Sequence, residues 1–288
     1  MGGGSWTTSA YKSYATTMCR AVTSDGDIKG DFSAQQMFTK RSMDEQLNPY
    51  NVIRECVDSE EHPNTVPVIL ALDVTGSMGG SAVEVAKRLN TIMTKLYAEI
   101  PDVEFMIMAI GDLAYDSFPI QASQFESDIR IAEQLDKVYF EGGGGGNLYE
   151  SYTVAWLFGS RHTKLDCWKR GQKGLIITIG DEQINPYLPM NSLRKSLTES
   201  IQGDIDTKDL YEEVKDKYNL YHLNVIDTYS GRNNAKENVK SFADIIGEQN
   251  VSDVKVENIA DTIVNIITDF SKNRCTNNII TESDAISW

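Results

Sequence analysis

Asp73-Val74-Thr75-Gly76-Ser77-Met78-Gly79-Gly80 places one carboxylate and two hydroxyls on alternate residues of a short glycine-bearing stretch. In a tight loop such spacing lets all three oxygens converge on one point. A hard divalent cation such as Mg2+ takes oxygen ligands at about 2.0 to 2.1 Å and keeps water wherever the protein leaves a position open. Gly180-Asp181 offers a second carboxylate 104 residues beyond Ser77 in the chain. A third place with chemistry is Gly142 to Gly146 followed by Asn147-Leu148-Tyr149-Glu150. Asn147 and Glu150, three apart at an expected helix start, would project from one turn, so either could add an oxygen. The plainer alternative is that Glu150 caps the helix and the glycines serve unusual backbone angles. Asp112 and Asp116 lie close enough in sequence to reach the same place, or to cap their own loop.

These residues need a frame to bring them together. Val66 to Leu72 is an almost unbroken apolar run, the mark of a strand buried on both faces of a parallel sheet. Ala82, Val85, Ala86, Leu89, Ile92, Met93, Leu96 and Ile100 form one apolar stripe, predicting a helix that stops before Pro101. Further strands are predicted at Val103 to Ile110, Leu175 to Ile179, Leu220 to Ile226 and Val254 to Val256. An edge strand is predicted near Tyr115 to Ile120. Helices are predicted at Ser127 to Val138, Glu150 to Phe158, Asp209 to Tyr218, Val239 to Ile246 and Ile259 to Phe270. The alternation implies an α/β fold with a doubly wound, mostly parallel central sheet and helices on both faces. Ligands of such sheets bind beyond the carboxyl ends of the strands, where Asp73, the glycine run and Asp181 all fall.

Residues 1–65, rich in Ser, Thr, Asp, Asn and Gln, read as an irregular, partly helical N-terminal extension. Residues 66–272 carry the alternating pattern, and 273–288 read as a polar C-terminal tail. The stretch from Glu182 to Gly203 holds Pro186 and Pro189 and follows Asp181 directly.

Asp-Val-Thr-Gly-Ser-Met after an apolar strand resembles the D-x-[ST]-x-S metal-ion-dependent adhesion site of von Willebrand factor type A domains. The resemblance covers roughly residues 66–272. It is closest to bacterial and phage proteins that join His62-Pro63-Asn64, the Asp73 to Met78 motif, the five glycines and Ile179-Gly180-Asp181-Glu182. It implies that Thr75 and Ser77 touch the metal directly, that Asp73 and Asp181 act through water, and that an acidic residue of a protein partner fills the open coordination position. Mg2+ is the expected ion, with Mn2+ and Ca2+ as alternatives. The chain departs from the family where Gly146 occupies the position of a ligating Thr, leaving Asn147 or Glu150 to supply that oxygen.

With 288 residues, 41% of them hydrophobic, the chain can bury a full core. Its formal charge of -15 opposes phosphate backbones and anionic membranes, so neither nucleic acid nor membrane is an expected partner. No apolar run approaches the roughly 20 residues of a membrane span, and no export signal is read at the start, so a cytoplasmic location is expected. Cys19, Cys56, Cys167 and Cys275 and the three histidines His62, His162 and His222 are scattered, which favours free thiols and structural roles.

No enzyme is expected. Phosphatases of the haloacid dehalogenase class want a second Asp where Thr75 stands, and the glycine run lacks the Lys of a phosphate-binding loop. A structural or assembly protein that uses the metal for stability is the alternative to a binding module, with a Mg2+-dependent phosphohydrolase behind both.

Overall fold

A computed structural model describes residues 4–143 and 149–283, with side chains as far as 274. In chain order the first segment holds α1 (Thr8–Thr17), α2 (Ala34–Met37), β1 (Arg54–Cys56), β2 (Val66–Asp73), α3 (Gly79–Lys87), α4 (Leu89–Glu99), β3 (Val103–Ile110), β4 (Ile120–Ala122) and α5 (Arg130–Leu135). Then come β5 (Tyr149–Glu150), α6 (Thr153–Arg161), β6 (Thr163–Leu165), β7 (Gly174–Gly180), β8 (Gln183–Ile184), β9 (Tyr187–Leu188), α7 (Met190–Ser196) and β10 (Ile205–Asp206). The last part is α8 (Thr207–Val214), β11 (Tyr218–Val225), α9 (Tyr229–Ile246), β12 (Val251–Val254) and α10 (Ile259–Ser283).

The architecture is α/β, with a six-stranded sheet in the order β12-β11-β7-β2-β3-β4 that is parallel except for β4. Strands β2, β3 and β7 are buried along their whole lengths, as their continuous apolar runs require. Alternate residues serve opposite faces. Val68, Leu70 and Leu72 join Ile92 and Leu96 of α4 and Ile263 and Ile267 of α10 in one core. Ile69 and Ala71 join Trp156 and Phe158 of α6, Leu210 of α8 and Phe242 of α9 in the other.

Several local expectations are corrected. The helix read through Ile100 is two helices, broken at Arg88, because the N-terminal segment intrudes there. Ile28 N–H donates to the carbonyl of Lys87 (3.0 Å), and the Asp27 carboxylate accepts from the Thr91 N–H (3.0 Å) and hydroxyl (2.7 Å), capping the first turn of α4 from outside. The edge strand expected near 115–120 begins only at Ile120, since Asp112 to Asp116 form a turn held by the Asp116 N–H donating to the Asp112 carbonyl (2.9 Å). The polar stretch from 273 is helical as far as Ser283, continuing α10. Residues before 66 are packed into the structure: Trp6, Tyr11, Met37, Phe38 and Leu47 lie in the same core as β2, and β1 pairs in parallel with β6. His62 is buried, with its Nε2 2.9 Å from the Gly4 carbonyl and its Nδ1 3.6 Å from Asp102 Oδ1.

Candidate functional site

β2 delivers Asp73 to the carboxyl edge of the sheet, and the chain then turns through Gly76 to Met78 into α3. The Asp73 carboxylate closes this turn on itself. Its Oδ1 accepts from the Thr75 N–H (2.8 Å) and from the Thr75 hydroxyl (2.6 Å), the local bonding that a short acidic side chain favours at a turn. Met78, 1% exposed, anchors the turn in the core. The front of the glycine run docks on the same turn, with Gly76 N–H donating to the Gly143 carbonyl (2.7 Å). Gly142 adopts φ +66°, a conformation that favours glycine, and a Cβ on Gly76 would sit 3.1 Å from its carbonyl oxygen, a close contact that glycine relieves.

The second loop arrives from β7, the parallel neighbour of β2 with Leu72 opposite Ile179. Two residues further on, Asp181 is fully buried, and its Oδ1 accepts from the hydroxyl of exposed Ser77 (3.1 Å). The Asp181 backbone carbonyl is fixed by Asn238 Nδ2 of α9 (2.6 Å). The four residues expected to share an ion are therefore brought to one place.

Tyr152, absent from the sequence reading, ties the two loops together. Its hydroxyl donates to Asp73 Oδ2 (2.9 Å) and accepts from the Glu182 N–H (3.3 Å). A Cβ on Gly180 would lie 2.0 Å from that hydroxyl oxygen, so the glycine before Asp181 exists to admit the phenol. That glycine, followed by an acid at a strand end, was the available sequence signal; it marks a close approach without naming the visitor.

Glu150 corrects an expectation. It lies in β5, paired with β8 through Glu150 opposite Ile184, and α6 starts only at Thr153, so it neither begins nor caps that helix. It is 3% exposed, and its Oε2 has no hydrogen-bond partner among the described residues. Asn147 and Gly146 lie outside the described residues. Asp112 and Asp116 cap their loop: Asp112 Oδ1 accepts from the Ala114 N–H (2.7 Å) and Asp116 Oδ2 from the Asp112 N–H (2.8 Å).

The electrostatics are those of crowded buried acids. Burial, then the charge of Asp181, pushes the Asp73 carboxyl above its ordinary range, and hydrogen bonds from Thr75 and Tyr152 pull it back. Burial raises Asp181 as well, opposed by Thr228 and Ser77. Asp181 Oδ2 is buried with no hydrogen-bond partner within bonding distance among the described residues. Glu182 is raised to about 7 by burial and then by Asp181, and Glu150 is raised by burial and then by Asp73 and Glu182.

The donor set suits a hard cation. Thr75 and Ser77 each point a proton at a carboxylate, which leaves hydroxyl lone pairs for a metal. Asp181 Oδ2, without a hydrogen-bond partner among the described residues, can accept from a coordinated water. Among the described residues no group of three or more His, Cys, Asp or Glu side chains could hold a metal, so a cation here would depend on hydroxyls and water beside two carboxylates. Cys19, Cys56 and Cys167 are free and belong to other parts of the fold.

No family model matches the chain, and no curated protein matches it. Among solved structures it is similar to the pilus adhesin SpaC from Lactobacillus rhamnosus GG in its open conformation, with a TM-score of 0.49 and 16% identity over 78% of this chain and 31% of that one. It is also similar to proximal thread matrix protein 1 from the mussel byssus, with a TM-score of 0.48 and 8% identity over 72% of this chain and 48% of that one. The chain thus spans less than half the length of either.

Proposed function

We propose that the chain is a doubly wound domain of von Willebrand factor A type that works as a metal-ion-dependent protein-binding module. Thr75 and Ser77 would hold Mg2+, or Mn2+ or Ca2+, directly, and Asp73 and Asp181 would hold it through water. A carboxylate of a protein partner would complete the coordination. The observation that carries this reading is the meeting of Ser77 and Asp181 (3.1 Å) beside a buried Asp181 oxygen that has no hydrogen-bond partner among the described residues. A divalent charge would offset the two carboxylates whose proximity raises Asp73, and an open coordination position on the ion would take the further carboxylate. Binding of this kind requires no general base.

The test has two arms. At a hundredfold excess over its Kd, Mg2+ would stabilise the folded state by about 2.7 kcal/mol, which raises Tm by roughly 4 to 5 °C in a chain of this size. Asp181→Asn, which keeps the shape and removes the charge, is expected to abolish the rise. Affinity capture of partners by wild type in Mg2+ should disappear in EDTA and with Asp73→Ala. Equal recovery under all these conditions removes the reading.

A further inference from the structure

All the exposed aromatic side chains among the described residues are tyrosines, and all four lie on segments beyond the carboxyl ends of the strands of the sheet that carries Asp73 and Asp181: the turn after β3, the short strands β5 and β9, and the first residue of α9 after β11. They are Tyr115 (60% exposed), Tyr149 (41%), Tyr187 (49%) and Tyr229 (83%). Tyr115 is in the turn after β3, beside the capped Asp112 and Asp116. Tyr149 sits opposite Gln183, next to Glu182, in the β5-β8 pair. Tyr229 opens α9 next to Ser230, whose hydroxyl donates to Glu182 Oε1 (3.5 Å). Tyr187 opens β9, opposite Asp206 of β10, and the preceding Asn185 ties this segment to the start of α6 through the Thr153 N–H (3.2 Å) and to the start of α8 through the Thr207 hydroxyl (2.6 Å). The other described tyrosines are buried or half-buried.

Charge on these segments is mostly acidic, with Lys195 of α7 lining a hollow beside Ala114 and Asp116. Across residues 73–80, 111–119, 149–152, 181–189 and 226–232 every charged side chain is acidic except Arg232. Its guanidinium is turned onto the Asp227 carbonyl (2.7 and 3.0 Å). Asp73, Asp112, Glu150 and Asp181 are buried, and the part-exposed Asp116, Glu182 and Asp227 form the acidic rim. Tyrosine offers large, stiff contact area at little entropic cost, and its ring face attracts ammonium and guanidinium groups.

We infer that this edge is a docking surface for a protein segment in which one Asp or Glu is flanked on both sides by Lys or Arg, the acid meeting the ion and the basic side chains lying on the tyrosines within the acidic rim. The inference rests on the metal-dependent reading above and goes beyond it by naming the chemistry around the partner's acid. A bare carboxylate would find the centre neutral and the surroundings repulsive. Basic neighbours convert that repulsion into attraction, and their salt sensitivity follows from exposure.

The probes are three surface-immobilised synthetic peptides with a central Asp, flanked by two Arg, two Ser or two Glu, and a fourth in which Asn replaces Asp between the Arg residues. Binding of the full chain is read in Mg2+ and in EDTA, with the Mg2+-induced rise in Tm as the separate measure of ion binding. The Arg-flanked Asp peptide is expected to bind about tenfold tighter than the Ser-flanked one, and the Glu-flanked and Asn peptides to be the weakest. Tyr115→Ala and Tyr229→Ala should each weaken the Arg-flanked peptide about threefold to fivefold while the rise in Tm persists. Equal, EDTA-sensitive binding of all three Asp peptides overturns the inference and leaves the metal reading standing. So does failure of every peptide to bind while Mg2+ still raises Tm. Binding of the Arg-flanked peptide that ignores both EDTA and the Asp-to-Asn change overturns the inference together with the metal reading.

Discussion

Tyr152 does for this site what an outer-sphere partner does for a metal centre: its buried hydroxyl fixes one oxygen of Asp73 and the backbone of Glu182 at once. Replacing such partners commonly costs 10-fold or more in metal affinity, because the ligand then samples other orientations. Tyr152→Phe keeps the ring packed on His222 and Phe242 and is expected to weaken Mg2+ binding about tenfold by calorimetry, with little change in Tm in EDTA. Unchanged affinity would show that Asp73 is held by Thr75 alone. Asp73, Thr75 and Ser77 were legible in the sequence because one short turn after an apolar strand fixes their spacing. Asp181 was legible because a second strand ends in the same way. Tyr152 was not, since the chain separates it from Asp73 by 79 residues and nothing local records the contact. Glu150 was misplaced for a related reason: a two-residue strand leaves no periodic trace, and the apolar start of α6 reads as though it reached further back.

Among the elements, the long apolar strands and helices declare themselves, because a strand buried on both faces and a helix with one apolar stripe must repeat their pattern over several residues. Short pairings such as β1 with β6 have no such length, and their partner lies more than a hundred residues away. The N-terminal segment is the element most obscured by its composition. Its polar residues face solvent or cap other elements, as Asp27 caps α4, while a few apolar side chains enter the main core. Met37, 1% exposed at the end of α2, is one of them, alongside Phe38, which stacks on Phe140 at 6.0 Å. Met37→Ala is therefore expected to cost about 2 to 5 kcal/mol in urea unfolding, a loss foreign to a detachable appendage. A change below about 0.5 kcal/mol, the level of an ordinary surface substitution, would mean that α2 adds nothing to the fold.

For the molecule as a whole, the pH dependence of stability sets opposing buried groups against each other. In the absence of metal, the raised carboxyls of Asp73, Glu150 and Glu182 bind protons more readily folded than unfolded, so they stabilise the fold as pH falls toward their ordinary values. His222 acts in the opposite sense. It stands on β11, fully buried, stacked on Phe242 with centroids 3.5 Å apart, with its Nδ1 2.9 Å from Thr178 Oγ1. Burial lowers its pKa from 6.5 to about 3. The folded chain keeps the ring neutral across that interval while the unfolded chain takes up a proton. The contribution of His222 is therefore complete above 6.5 and is lost progressively as pH falls toward 3, at up to about 1.4 kcal/mol per pH unit. Comparing wild type with His222→Gln cancels the carboxylates common to both. The stability of wild type relative to this variant, read from urea midpoints, should decline steadily across that window and level off below it. A difference that stays flat with pH would mean that the folded protein lets the ring charge, by opening around β11 or by admitting water to Nε2, which has no hydrogen-bond partner among the described residues.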